Sequence, residues 1–167
     1  ESLRLARVAL LQRHLLLQDV EEKEKQEVFL MYQPQLVQYE ISVILLPTRK
    51  DGKFVLTALA DKVPFEKLAS DLSMDPSKSQ GGRLGLLNLP QIGRFLGDDA
   101  ANQVKQMKPN TTSKIVTSPH GLLVIKLGQV RATYDQLKPV VENLIADSKR
   151  VSLAYRLGQS AKITSPF

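Results

Sequence analysis

The chain has no cysteine and no tryptophan, only two histidines, and 5% aromatic residues. Without cysteine there is no disulfide scaffold, no thiolate-ligated zinc and no cysteine nucleophile. The two histidines, His14 and His120, leave little room for a histidine metal centre or a histidine-based acid–base pair. His14 has no histidine, cysteine or carboxylate three or four residues away, so it reads as an ordinary helical side chain rather than a ligand. No apolar run reaches the roughly 18 residues of a membrane span. G-x-S-x-G, P-loop and H-E-x-x-H patterns are all missing. A cysteine-free chain is compatible with an oxidising compartment such as the periplasm. It opens at Glu1 without Met or a signal-like segment, as expected of a processed or trimmed product.

What is present is a chain of 167 residues, 43% hydrophobic and 24% charged. That suffices to bury a real core as one domain with additions, or as two small domains. Charge is uneven. Residues 1–100 carry 13 basic and 14 acidic side chains, whereas residues 101–167 carry ten and three. The basic residues of the second part stand singly among apolar ones, with no dense run and no interleaved aromatic platform. They read as solvated faces with weak attraction for acidic partners, and nucleic-acid binding is not expected.

The periodicities predict an α+β order. Residues 3–17 have a broad apolar stripe of Leu3, Val8, Leu11 and Leu15 at helical spacing, expected to be buried. Asp19 is expected to cap a second helix that Pro34 ends. Residues 39–46, YEISVILL, are β-branched, apolar and stopped by Pro47, which predicts a central strand. Helices follow at 53–60 and 65–72, then a turn-rich loop over 73–85 containing Gly81, Gly82 and Gly85. A helix is expected over 98–107. Strands 113–117 and 122–127 should flank a turn at Ser118-Pro119-His120-Gly121. A last helix spans 134–150, and 151–157 fits either a helix extension or a strand. The glycine cluster lacks the Lys-Ser/Thr ending of a phosphate loop, and a tight turn before a strand explains it.

Two stretches together carry a resemblance. They are VPFEKLASDLSMDPSKSQGGRLG, residues 63–85, and MKPNTTSKIVTSPHGLLVIKL, residues 107–127. Their order and spacing resemble the parvulin family of peptidyl-prolyl isomerases over roughly residues 40–128. The helical flanks resemble the family's extracytoplasmic chaperones of the SurA and PrsA type. The resemblance implies three parts: an N-terminal helical segment, 1–39; a parvulin-like domain, 40–128; and a C-terminal helix, 129–167, packing with the first. The implied fold is an antiparallel sheet covered by helices, with strand 40–46 joined to the two late strands.

The resemblance also implies site residues. Active parvulins carry one histidine in the first strand, where this chain has Val43 in Ser42-Val43-Ile44-Leu45. They carry a second after the glycine of the last strand, where it has Leu123 in Gly121-Leu122-Leu123. The family's loop acid survives as Asp75, which is equally readable as a cap in Asp75-Pro76-Ser77. Leu84, Leu89, Ile92 and Phe95 are candidates for an apolar proline-binding wall, and Ser118 and His120 are further candidates for substrate binding. His120 lies three residues before the family position. Arg49 and Lys50 fall where phosphate-selective members are basic, and equally read as solvated turn residues.

Isomerisation about an X-Pro bond meets a barrier of about 18–20 kcal/mol and needs no nucleophile, metal or cofactor. It needs a dry site that holds the twisted amide better than either planar form. The parvulin resemblance, the SurA- and PrsA-like helical flanks and the loss of both histidines together imply a parvulin-fold domain of an extracytoplasmic, periplasmic chaperone or foldase. It would bind unfolded or proline-containing polypeptide with weak or no isomerase activity. The alternatives are an active isomerase with a divergent site on Asp75, Ser118 and His120, or a structural docking domain, for instance a homodimer.

Overall fold

The structure, a computed structural model, describes residues 2–163. Its elements run α1 (Ser2–Leu17), α2 (Glu22–Leu36), β1 (Gln38–Leu46), α3 (Arg49–Ala60), α4 (Phe65–Leu72), a 3-10 turn (Pro76–Gln80), β2 (Arg83–Leu87), α5 (Leu89–Leu96), α6 (Asp98–Gln106), β3 (Thr111–Thr112), β4 (Val116–Ser118), β5 (Gly121–Arg131) and α7 (Tyr134–Ile163). The chain divides into two compact units, one built from its two ends and one from Val37–Ala132.

In the helical unit, α1 and α2 both pack against α7. Val20, Phe29 and Leu36 meet Leu137, Val141 and Ile145 in its core, and the Phe29 and Tyr134 rings stand edge to face at 5.6 Å. Glu142 on α7 accepts from both Arg13 on α1 and Lys25 on α2. Glu22 accepts from Tyr134 at 2.8 Å and Lys138 at 2.7 Å. Burial and the neighbouring Glu22 carboxylate push the Tyr134 phenol up to about 12.

In the second unit, an antiparallel sheet runs β2-β1-β5-β3, with β4 also on β5. β1 is central and presents alternate residues to two cores. Ile41 and Val43 join Leu123, Ile125 and Leu127 under α5 and α6, with Ile92, Leu96, Ala100 and Val104. Ile44 and Leu46 join Val124 on the opposite face, covered by Val55 of α3 and Phe65, Leu68 and Ala69 of α4. Strand 40–46 thus lies between β2 and β5, as an α+β parvulin-like sheet requires.

Several local expectations are corrected. Thr48, outside the expected 53–60, caps α3: its Oγ1 accepts from Asp51 N. Asp19 does not cap α2, which begins at Glu22 with Glu21 O accepting from Lys25 N. Pro34 does not end α2 either. It sits in the last turn, where the missing N–H removes a single bond, and the helix runs on to Leu36. The stripe on α1 is not buried: Val8, Leu11 and Leu15 are exposed, because α1 meets α7 along a narrow contact through Arg13 and Leu17. The side chain of Leu3 lies outside the described residues. Residues 151–157 continue α7 as helix. A helix absent from the expectation, α5, opens at Asn88. Asn88 Oδ1 accepts from Gln91 N and Gln91 Oε1 accepts from Asn88 N, a reciprocal capping box.

The expected strand 113–117 forms only at its end: β4 begins at Val116, residues 113–115 are not strand, and the short β3, Thr111–Thr112, precedes them. Thr112 pairs Lys126 and Val116 pairs Leu123, so this side carries one residue more than β5 between those points. Ser113 fills the bulge. Its buried Oγ accepts from Ile125 N at 2.9 Å and donates to Lys114 O, while Ser113 N donates to Ile125 O at 2.7 Å.

Candidate functional site

The two strand positions singled out above fall on one face of neighbouring strands. Val43 pairs Ile125 and Leu45 pairs Leu123, which brings Val43 and Leu123 into the same apolar layer. Val43 has no accessible surface and Leu123 has 2%. Their neighbours there include Leu84, Leu87, Leu89, Ile92 and Leu96, and Tyr39 is the one titratable side chain that packs against this layer. Two methyl-bearing side chains fill this space by dispersion and burial, where a hydrogen-bonded pair of imidazoles would need polar partners.

A loop, not a strand, finishes the second edge of β1. β2 pairs only residues 39–42 of β1. Beyond it, Val43 N donates to Gly82 O at 2.8 Å and Met74 N donates to Leu45 O at 2.9 Å. Leu45 N donates to Ser73 Oγ at 3.0 Å, and the same hydroxyl accepts from Asp75 N at 3.1 Å. Ser73 is buried, and sequence reasoning passed over it. The signal available was a small hydroxyl residue just after an amphipathic helix and before an Asp-Pro turn.

Asp75 is half-buried and occupied locally. Its Oδ1 accepts from Ser77 N at 2.8 Å and from the Ser77 hydroxyl, which caps the 3-10 turn begun by Pro76. The capping reading of Asp75 is therefore visible in the geometry.

The remaining candidates spread over α5, β2 and the β4–β5 turn. Leu84 and Leu89 are half-buried against the apolar layer, Ile92 is fully buried within it, and Phe95 is 51% exposed. Ser118 donates through Oγ to Gly121 O at 2.9 Å and accepts from His120 N at 3.2 Å, so it braces the turn. His120 is exposed. Leu84, Leu89 and Ile92 thus meet one layer, whereas Ser118 and His120 lie on the turn that closes β4 onto β5. Among the described residues no cluster of three or more histidine or carboxylate side chains has metal-binding geometry.

Charge gathers elsewhere on the sheet. Glu40, Glu66, Arg83 and Lys126 line a groove of about 390 Å³ together with Ser42, Asn110 and Gln129. Arg83 bonds Glu40 at 2.6 Å and Lys126 bonds Glu66. The Gln129 amide and the Arg83 guanidinium hold the Glu40 carboxyl below its ordinary 4.5, and Lys126 does the same for Glu66. These ion pairs tie β1 to β2 and β5 to α4.

The family model described as Rotamase, PPIC-type PPIASE domain, matches residues 47–129. Leu123 lies inside that stretch and Val43 lies just before it. The protein described as Chaperone SurA from Ralstonia nicotianae is 33% identical over 108 residues, which is 57% of this chain and 21% of that protein. The chain therefore spans about a fifth of the length of this relative. The parvulin domain of PpiD from E. coli superposes with a TM-score of 0.50 at 26% identity, covering 60% of this chain and 94% of that one. PrsA from Bacillus anthracis shares the fold with a TM-score of 0.54 at 22% identity, over 91% of this chain and 70% of that one. No described helix is long and apolar enough to cross a membrane. Residues 47–129, which supply the glycine turn, the covering helices and the strands that flank β1, belong to the PPIC-type, parvulin family of peptidyl-prolyl isomerase domains.

Proposed function

We propose that this chain supplies the polypeptide-binding parvulin domain of an extracytoplasmic, periplasmic chaperone, and that it catalyses proline isomerisation weakly or not at all. The observation that carries the reading is the pair Val43 and Leu123. Both are sealed in an apolar layer where active relatives place two histidines. Without them no imidazole lies in that layer to order polar groups around a twisting amide, and such assistance is typically worth about 10²–10⁴-fold. Asp75, the one ionisable residue of the resemblance that remains, is engaged by Ser77.

Binding needs less than catalysis. An apolar wall built on Leu84 and Leu89, with Phe95 exposed beside it on α5, can accept a proline or another apolar side chain without stabilising a twisted amide. Ile92 supports that wall from below, and Ser118 and His120, on the β4–β5 turn, are offered as further polypeptide contacts. In the helical unit, Leu10, Leu11 and Leu15 of α1 and Val151, Tyr155 and Leu157 of α7 are exposed, which offers apolar surface for unfolded segments. Similarity to a SurA chaperone accords with this use.

The test pairs two assays on the unmodified protein: isomerisation of proline tetrapeptides, and suppression of aggregation of an unfolded client. The expected result is turnover at or near the uncatalysed rate with measurable suppression. Turnover near that of an ordinary parvulin, abolished by Asp75→Ala, would overturn the reading in favour of an enzyme with a divergent site.

A further inference from the structure

β4 is an edge strand whose outer side is open. Among the described residues it pairs only with β5, through Val116–Leu123, Thr117–Leu122 and Ser118–Gly121. Pro119 lacks an N–H, so the Ser118–Gly121 pair must itself exchange the two hydrogen bonds of an antiparallel bridge. Alternation along the ladder then makes Thr117–Leu122 the pair without mutual bonds. The Thr117 N–H and C=O therefore point away from β5, and Thr117 is exposed.

Beside that edge runs a groove of about 320 Å³. It is lined by Asp99, Asn102, Gln103 and Gln106 of α6 and by Ile115, Val116 and Thr117. Among the described residues, the side chains of Asn102, Gln103 and Gln106 make no hydrogen bond. Each carboxamide offers two donors and an acceptor. A carboxamide row facing an open strand edge complements peptide groups, and peptide groups are the same in every sequence. Val116 is buried beneath, and the Ile115 side chain packs into the opposite core, so the floor is fixed.

We infer that this groove takes an extended polypeptide segment by strand addition. The segment's backbone pairs with Thr117, and Asn102, Gln103 and Gln106 bond its outer peptide groups. Recognition is by backbone rather than by side chain, and Asp99, the single charge in the groove, favours neutral or basic segments over acidic ones. The inference rests on the client-binding reading above and places one client contact away from the apolar wall built on Leu84 and Leu89.

The probe is reduced, iodoacetamide-alkylated ribonuclease A, an unfolded and basic chain. Thr117→Pro removes the outward donor and leaves the bonds of Val116 and Ser118 to β5 in place, and proline is tolerated on an edge. The expected result is a roughly tenfold loss of affinity, the scale of one or two hydrogen bonds. Thr117→Ser, which keeps the N–H, should bind as the unmodified chain does. Asn102→Ala with Gln103→Ala should weaken binding in the same direction. In amide NMR of the unmodified protein the probe should shift Thr117 and the carboxamide NH2 signals of Asn102 and Gln103, a readout that does not depend on any variant folding. Shifts confined to other surfaces, or full affinity in a folded Thr117→Pro variant, would overturn the groove while leaving client binding intact. No binding of the probe to the unmodified chain would overturn both.

Discussion

Val43 and Gly82 grip each other through their main chains. Val43 N donates to Gly82 O at 2.8 Å, and a Cβ placed on Gly82 would lie 2.3 Å from Val43 O. Gly82 also has φ near +80°, a region where an L side chain costs about 1–2 kcal/mol. Both features demand glycine. Gly82→Ala should destabilise the sheet unit by at least about 2 kcal/mol, since strain and a backbone clash act together. Urea unfolding would measure this, and an unchanged midpoint would show that the loop can shift off β1 freely.

Ser113 gives a second, independent test. Its buried hydroxyl is the acceptor for Ile125 N. Ser113→Ala leaves that amide unpaired beneath the sheet, which costs about 1–3 kcal/mol. Ser113→Thr keeps the oxygen but adds a methyl group, so it should fall between the two in thermal unfolding.

The sheet was readable in advance where side-chain pattern decides structure. Residues 39–46 announce a strand because Ile41, Val43, Ile44 and Leu46 crowd apolar, partly β-branched side chains into a short run, and both faces are indeed buried. The break between Thr112 and Val116 was not readable, because a side-chain oxygen replaces a backbone bond there and no hydrophobic period changes. α5 was passed over although its signal is in the sequence: Asn88, then Pro90, then Gln91 make a capping box with proline in the first turn. The apolar run Leu84 to Leu89 masked that boundary. On α1, periodicity located the helix but overstated its burial, since exposure depends on what packs against a stripe and not on the stripe itself. In the site, Val43 and Leu123 were found by resemblance, and Ser73 was missed because its role exists only once Leu45 is placed beside it.

Acid should weaken the sheet unit in a defined direction. The folded pKa values of Glu40 and Glu66 lie below the ordinary 4.5. In the window below 4.5 the unfolded chain therefore binds more protons than the folded one. The stabilisation is complete above about pH 4.5 and fades as pH falls through the lowered folded values. Thermal unfolding followed from pH 6 to pH 3 should show a falling midpoint, with a shallower fall in Glu40→Gln. The change should be modest, since these pairs are near the surface.

Placing histidine at both family positions, Val43→His with Leu123→His, should lower stability. The layer around them is built of aliphatic side chains, with the Tyr39 phenol as its one titratable group, and a buried polar group without a hydrogen bond costs about 1–3 kcal/mol by protein measurements. Differential scanning calorimetry would register a lower midpoint. A gain in isomerase turnover despite that loss would show that the missing imidazoles are the main defect of the site.

Because a loop rather than a strand completes the edge of β1 beyond Ser42, that edge has a hinge-like seam. The Val43 and Leu45 amide protons are held by Gly82 and Ser73, whereas the β1 amides further back are held by strands. Local opening of residues 73–82 would release those two protons without melting the sheet. Hydrogen exchange at Val43 and Leu45 would then run ahead of exchange at Ile44, and the ratio would count how often the floor beneath Asp75 lifts while the rest of the domain stays closed.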